Sequence, residues 1–162
     1  MESLAACAND LNLKGISFTV WQYHEIPGCE IKLYIESASE DEMSAMKVFV
    51  KSFMERIVEL GKKYIFVFDL SVCNFLPIPQ IHQVQQNLEE YYNVVKEYLI
   101  FTCMVIGNGV VKGILDMAFK IIPTTKPIVF VSHEQQEDLK KILRKEIKAF
   151  LKNQECIKEF QN

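Results

Sequence analysis

Three long apolar runs, separated by stretches with helical periodicity, constrain the fold of this chain most strongly. The runs are YIFVFDL from Tyr64, LIFTCMVIGN from Leu99 and PIVFV from Pro127. Each is apolar at consecutive positions, which is typical of a buried strand in a sheet that helices cover on both faces. Strands that alternate with helices predict parallel pairing through right-handed crossovers. The last three strands are therefore predicted to lie side by side and to run in one direction.

The N-terminal half adds a hairpin and a helix to this parallel core. The segments ISFTVWQY and IKLYIE have strand-like composition, and the Pro27-Gly28 pair between them predicts the turn of a β-hairpin. Ser39 and Glu42 have the spacing of a capping box, and apolar residues then recur at helical spacing as far as Gly61. A helix over this segment follows from both signals.

Three further helices complete the predicted order of elements. They are expected from Pro79, from Val110 to Ile122, and after Ser132, where Gln135 repeats the capping-box spacing. The order is then ββαβαβαβα. This order predicts the α/β class, with a mixed sheet whose parallel core is flanked by helices.

Length and charge limit the domain count and the class of partner. A chain of 162 residues with 49% apolar composition is enough for one domain, predicted over residues 15–152 with flexible segments at 1–14 and 153–162. A net charge of -3 provides no basic surface for nucleic acid. Five cysteines without a CxxC pair, no signal sequence and no run long enough to span a membrane predict a soluble cytoplasmic protein.

The ends of the three apolar runs are the candidate site. They carry Asp69 with Ser71, then the triplet 107–109 (Gly-Asn-Gly), then Ser132 with His133. In open α/β sheets ligands bind beyond the carboxyl ends of parallel strands, where helix N-termini also offer free N–H groups to anions. We therefore expect these residues to meet at one edge of the sheet.

The glycine spacing in this region, G-x-G-x-x-x-G, resembles a phosphate-binding loop only in part. A dinucleotide fingerprint places G-x-G-x-x-G in the first βα unit, whereas this loop lies late in the chain and its third glycine is one residue out of register. No Gly-Lys-Ser/Thr triplet is present either. We interpret Gly107 and Gly109 as bending the backbone from strand to helix, and Gly113 as letting that helix pack closely on the sheet. No cofactor is expected.

Catalytic and metal sites are not expected from the polar residues. Asp69, Ser132 and His133 have the side chains of a nucleophilic triad, but the last two are adjacent at a helix start and no G-x-S-x-G elbow is present. His24 and His82 have no second ligand at metal spacing. The sequence thus predicts a protein that is not an enzyme.

Two family resemblances follow from the order of elements. From about Cys29 to Val131 the chain resembles a CRAL-TRIO lipid-binding domain without its helical N-terminal lobe. VFDLS corresponds to a strand that ends in Asp-Leu in that family, and MVIGN corresponds to an apolar strand that ends in Asn. FKIIPTTKPIVFV is similar to a segment that contains a Lys, a Thr and a strand beginning with Lys-Ile. Lys120, Thr125 and Lys126 occupy those last positions. The resemblance implies a lipid or other apolar ligand.

The alternative resemblance is to the STAS domain, a regulatory module with a similar ββαβαβαβα course. FDLSVCNFLPIPQI aligns with it, but the family's phosphorylatable residue would fall near Ile78. This resemblance therefore implies a protein-interaction module without a phosphoswitch.

The lipid hypothesis names two sets of residues. An anionic head group would bind at Gly107 to Val110, with Lys112 or Lys126 nearby. The head group would belong either to a bound lipid or to a membrane that the protein contacts peripherally. The expected ligand-binding residues are Asp69, Gly107, Asn108, Gly109, Lys112, Thr125 and Lys126. The residues that would line an apolar cavity, or alternatively fill the core, are Phe49, Phe53, Met54, Tyr91, Tyr92, Met117 and Phe119.

Overall fold

The computed structural model describes residues 11–12, 15–23, 26–33, 39–73, 79, 82–83, 86, 89–121, 126–132, 141–150 and 152. Within these ranges one sheet contains six strands, and its spatial order is the chain order. The strands are β1 (Leu11–Asn12), β2 (Ile16–Tyr23), β3 (Ile26–Leu33), β4 (Tyr64–Leu70), β5 (Leu99–Ile106) and β6 (Ile128–Ser132).

Strand direction divides the sheet into two parts. β1, β2 and β3 pair antiparallel, while β3, β4, β5 and β6 all pair parallel. The predicted α/β class and the predicted parallel pairing of the last three strands are confirmed. Two residues of the segment assigned to a flexible N-terminus, Leu11 and Asn12, pair with Phe18 and Ser17 of β2. The rest of residues 1–14 and residues 153–162 lie outside the described ranges, and the domain limits stay a prediction.

The turn predicted at Pro27-Gly28 is wrong, because both residues lie inside β3. Pro27 pairs with Gln22 and Gly28 pairs with Trp21, so the chain reverses before Ile26. A Cβ atom added at Gly28 would overlap the indole ring of Trp21. Glycine is therefore required here by the close approach of an aromatic ring, not by a turn conformation.

Helix α1 (Glu40–Leu60) begins and ends as its sequence predicts. The Ser39 hydroxyl accepts a hydrogen bond from the Glu42 N–H at 3.1 Å, and the Glu42 carboxylate accepts one from the Ser39 N–H at 3.1 Å. The same carboxylate accepts a hydrogen bond from the Gly15 N–H at 2.6 Å, which ties the helix start to the start of β2. Gly61 ends the helix in the left-handed conformation, with φ of 61°.

Three more helices with continuous described ranges accompany the parallel strands. They are α2 (Tyr92–Tyr98), α3 (Gly109–Ile121) and α4, the helical residues 141–150. α3 begins one residue before its predicted start at Val110, and its predicted last residue, Ile122, lies outside the described residues. Between Pro79 and Tyr91, where a helix is predicted to begin, the described residues Pro79, His82, Gln83, Gln86 and Glu89 are helical, and six other residues lie outside the described ranges.

The sheet has two faces, and helices α1, α2 and α3 pack on the same one. We call this the crossover face, because these helices connect the parallel strands. Its core includes Phe18, Phe53, Phe66, Met104 and Val111. The opposite face, which we call the α4 face, packs Val67, Cys103, Val105 and Val131 of the sheet against Leu143 and Ile147 of α4.

Candidate functional site

The carboxyl ends of three parallel strands meet at one edge of the sheet, as predicted. Leu70 pairs with Ile106, and Ile106 pairs with Ser132, so the residues that follow these strands are neighbours. We call this edge the carboxyl rim and define it as residues 69–71, 107–108 and 132. Asp69, Asn108 and Ser132 therefore share one edge.

Asp69 organises the loop after β4. Its side chain is only 2% exposed, and its Oδ1 accepts hydrogen bonds from the Ser71 N–H at 3.0 Å and the Ser71 hydroxyl at 2.6 Å. Its Oδ2 lies 3.8 Å from the Nζ of Lys32. Such a carboxylate fixes a turn two residues ahead of it. The carboxylate of Asp69 thus contacts Ser71 and Lys32 of its own chain, and the side chain lies on the α4 face of the sheet.

Gly107 allows two loops of the rim to touch. A Cβ atom at this position would overlap the carbonyl oxygen of Ser71, so only glycine leaves room for that contact. Gly109 and Gly113 differ, since a Cβ at either would meet no heavy atom within 4 Å. The prediction that Gly113 packs on the sheet is wrong, because this residue lies on the exposed side of α3.

Asn108 caps α3 and ties it to the loop after β4. Its Oδ1 accepts a hydrogen bond from the Val111 N–H at 3.0 Å, and its Nδ2 donates one to the Cys73 carbonyl at 3.3 Å. A side-chain cap of this kind satisfies an N–H group that an anion would otherwise bind. The side-chain amide of Asn108 therefore stabilises the helix start and the adjacent loop at the position where an anion site is predicted.

The two lysines assigned to a head group occupy different parts of the molecule. Lys112 lies one turn into α3, pairs with Asp116 at 3.0 Å, and places its Nζ 5.1 Å from the centre of the Phe130 ring. Lys126 precedes β6 at the amino end of the strand, whereas the rim lies at the carboxyl end. Five strand residues at about 3.3 Å each separate the two edges, so Lys126 is not brought to Gly107. Thr125 lies outside the described residues.

Of the residues predicted to line a cavity, some are buried in the core and others are exposed on the surface. Phe49 stacks on Phe18 with ring centres 4.6 Å apart, and Phe53 meets Tyr64 edge to face at 5.4 Å, so both fill the core between α1 and the sheet. Tyr92 and Met117 are 53% and 67% exposed. The prediction that these two residues face an interior ligand is wrong.

Buried thiols in the sheet are held in the protonated form. Burial raises the pKa of Cys103 to about 12, and the carboxylates of Glu30 and Asp69 act in the same direction. Burial likewise raises the pKa of Cys29 far above its ordinary value. A nucleophilic cysteine needs a thiolate. Cys29 and Cys103 therefore act as small core residues.

Two features of the surface were not predicted from the sequence. The first is a set of exposed apolar residues beside the carboxyl rim, Val72, Val110 and Met117. The seven-residue spacing of the last two within a helix was the available signal. The second is a polar cluster on the α4 face, where Lys32 lies near Asp69 and the Trp21 side chain donates a hydrogen bond to Glu30. Its signal is the alternation of charged with apolar residues along β3.

No protein-family profile matches the chain, and no curated protein matches it. Among solved structures, the chain is similar to an uncharacterized protein of the DUF3478 family from Shewanella loihica, described as having a SpoIIAA-like fold. The two superpose with a TM-score of 0.56 at 10% sequence identity, over 81% of this chain and 95% of the other. The fold is SpoIIAA-like. This finding supports the STAS alternative over the CRAL-TRIO resemblance, and at this identity it concerns the fold alone.

Within the described part of the chain, no helix combines the length and the apolar character that crossing a bilayer requires.

Proposed function

We propose that the chain is a non-catalytic protein-interaction module of STAS-like architecture. Its docking surface consists of Val72, Val110, Gly113 and Met117, and we call it the α3 surface. The observation that carries this proposal is the exposure of three large apolar side chains, at 48%, 60% and 67%, beside a rim whose polar groups are engaged internally.

The helical geometry places the α3 surface on one side of α3. Successive residues of an α-helix are rotated by about 100°, so Val110 and Met117 lie within about 20° of each other, and Gly113 lies about 60° to one side of Val110. Val111 and Leu115, which are buried, point toward the sheet instead. The outward flank of α3 is therefore apolar over about two turns.

The loop after β4 extends this flank. The Gly107 contact with Ser71 and the hydrogen bond from Asn108 to Cys73 hold that loop against the start of α3. Val72 lies between Ser71 and Cys73 in the sequence and is 48% exposed. The α3 surface is thus supported by two fixed segments of backbone.

The partner that fits this surface is an amphipathic helix of another protein. Gly113 leaves a notch between Val110 and Met117, since no heavy atom lies within 4 Å of a Cβ built there. A helix that packs against another inserts side chains into such gaps, and Met adapts its shape to different partners. Among the described side chains of α3, the charged pair near the notch is Lys112–Asp116, whose charges offset each other.

The rim supports a non-catalytic role. A catalytic carboxylate or amide needs at least one polar atom directed at a substrate. Asp69 instead binds Ser71 and Lys32, and Asn108 binds the backbone of Val111 and Cys73.

Site-specific photocrosslinking in cells that express the full chain tests the proposal. A photoreactive amino acid replaces Val110 or Met117 in turn, and Val48 on α1 provides the control, since it is a valine with 65% exposure far along the chain from α3. We expect one discrete protein adduct, of the same mass from positions 110 and 117, that is absent from position 48. Mass spectrometry then identifies the crosslinked peptide.

The substitution Gly113→Leu separates specific docking from general stickiness. It fills the notch, it has free space around its Cβ, and it exchanges a poor helix former for a good one, so the fold is retained. The adduct should be lost in this variant. Equal labelling from position 48, an adduct that survives Gly113→Leu, or an adduct with the mass of a lipid would overturn the proposal.

A further inference from the structure

A second group of side chains, independent of the α3 surface, lies on the α4 face of the hairpin formed by β2 and β3. Trp21 lies on β2, Glu30 and Lys32 on β3, and Asp69 on β4. Lys32 is the register partner of Asp69, and Glu30 is the partner of Val67, two residues before Asp69. Residues two apart on a strand point to the same face, so these four share one face. We call them the hairpin cluster.

The contacts of the hairpin cluster join three strands. The indole of Trp21 lies across Gly28, and the Trp21 side chain donates a hydrogen bond to the carboxylate of Glu30. Lys32 reaches Asp69 with its Nζ 3.8 Å from Oδ2. Glu30 therefore lies between an uncharged donor on β2 and an ion pair that links β3 to β4.

The surroundings of Glu30 favour its neutral form. Burial raises the pKa of this carboxyl above its ordinary value, and the negative charge of Asp69 raises it further, while Lys32 and the Trp21 hydrogen bond act in the opposite direction. On β5 the nearby titratable group is Cys103, whose high pKa keeps it uncharged. Helix α4, on the same face, carries Lys141, Arg144, Lys145, Glu146 and Lys148. Among the described residues, the charges that shift the pKa of Glu30 are those of Asp69 and Lys32.

We propose that the hairpin cluster is a pH-sensitive clamp, in which protonation of Glu30 strengthens the attachment of the β2–β3 hairpin to β4. A neutral Glu30 no longer repels Asp69, and it no longer competes with Asp69 for the charge of the Lys32 ammonium group. Its carbonyl oxygen continues to accept the hydrogen bond from Trp21. The proton comes from solvent, and the cluster returns to its charged form when the pH rises.

The direction of the effect follows from proton linkage. The folded state binds the Glu30 proton more tightly than the unfolded state, where the pKa of Glu is about 4.3. Stability therefore increases as the pH falls from above the folded-state pKa toward that unfolded value. The same contribution is lost as the pH rises through the folded-state pKa.

The fluorescence of Trp21 reports this titration directly, because the chain contains a single tryptophan. We expect the emission of the full-length protein to change in one step whose midpoint lies above the ordinary pKa of Glu. The variant Glu30→Gln keeps an acceptor for the indole but cannot titrate, so the step should disappear. The control Glu55→Gln removes one exposed carboxylate on α1 and should leave the step unchanged.

Thermal unfolding provides the second readout. The stability of wild type relative to Glu30→Gln should fall as the pH rises through the fluorescence midpoint, and at neutral pH the variant should be the more stable protein. If Glu30→Gln does not fold, the carboxyl carbon of Glu30 is titrated by NMR in the wild-type chain. A midpoint at or below the ordinary value for Glu, or an unchanged step in Glu30→Gln, overturns the proposal.

Discussion

The two faces of the sheet bury different chemistry although they share the same strands. On the crossover face aromatic rings contact one another across the sheet and α1, with Phe66 stacked on Phe68 at 5.2 Å and Phe53 edge-on to Phe66 at 6.4 Å. On the α4 face a half-buried Glu30 and a buried Asp69 lie in the same sheet with Lys32. Both faces bury apolar side chains, but among the described residues the buried charge lies on the α4 face, where its contribution to stability depends on pairing and pH.

The largest effect should come from shortening an aromatic side chain on the crossover face. Phe53 is 1% exposed and contacts the rings of Tyr64 and Phe66. Phe53→Ala should lower the free energy of unfolding by about 3–5 kcal/mol through lost burial and a residual cavity. Urea denaturation measures this loss. A loss below about 1 kcal/mol, smaller than most buried truncations, would show that α1 is not packed as described.

A smaller loss is expected from removing the carboxylate on the α4 face. Asp69→Ala leaves the N–H and hydroxyl of Ser71 and the ammonium of Lys32 without this acceptor, which should cost about 1–3 kcal/mol. Asp69→Asn retains an oxygen for Ser71 and is the matched control. Chemical denaturation should place it between wild type and Asp69→Ala. Equal stability of all three proteins would contradict a structural role for Asp69.

The crossover face should also tolerate the loss of one polar atom. The hydroxyl of Tyr64 is buried and has no hydrogen-bond partner among the described residues. Removing a buried hydroxyl without a partner relieves a desolvation penalty, so Tyr64→Phe should raise the free energy of unfolding by about 1 kcal/mol. Thermal denaturation measures the change. A clear loss of stability would show that the hydroxyl is hydrogen-bonded.

The smallest effect should come from the edge of the crossover face, at the start of α1. Backbone hydrogen bonds from Ser39, and also from Gly15 and Ile16, lower the pKa of Glu42, the opposite of the shift at Glu30. The contribution of Glu42 to the free energy of unfolding is present above the pKa that this carboxyl has in the unfolded state. It is lost as the pH falls through the pKa of the folded state. Glu42→Gln should therefore reduce the acid-side loss of stability in a pH series of melts. An identical acid limb in wild type and variant would contradict this assignment.

Sequence reasoning identified the elements whose signals are local. The capping box at Ser39, the helix end at Gly61 and the apolar runs of β4, β5 and β6 each depend on a few consecutive residues, and the structure contains all of them. The common edge of Asp69, Asn108 and Ser132 followed from strand direction alone. These signals gave the α/β class and the position of the rim.

The errors concern contacts between residues distant in sequence. Gly28 was predicted to form a turn, but glycine is needed there because the Trp21 ring lies against its backbone. Gly107 was predicted to bend the backbone, but glycine is needed there because the Ser71 carbonyl lies against it. Lys126 was predicted to lie near Gly107, yet the helix α3 and the length of the strand β6 separate the two residues. Local patterns do not encode which side of a helix is left uncovered, so the exposure of Met117 was also missed.

A binding titration measures whether the notch at Gly113 receives a helix of a partner protein. The protein identified by crosslinking is titrated calorimetrically into wild type and into Gly113→Leu, after equal unfolding free energies have been confirmed. We predict saturable binding to wild type and a loss of roughly tenfold or more in affinity for the variant, as expected when the centre of an interface is blocked. Equal affinity for both proteins would contradict the account.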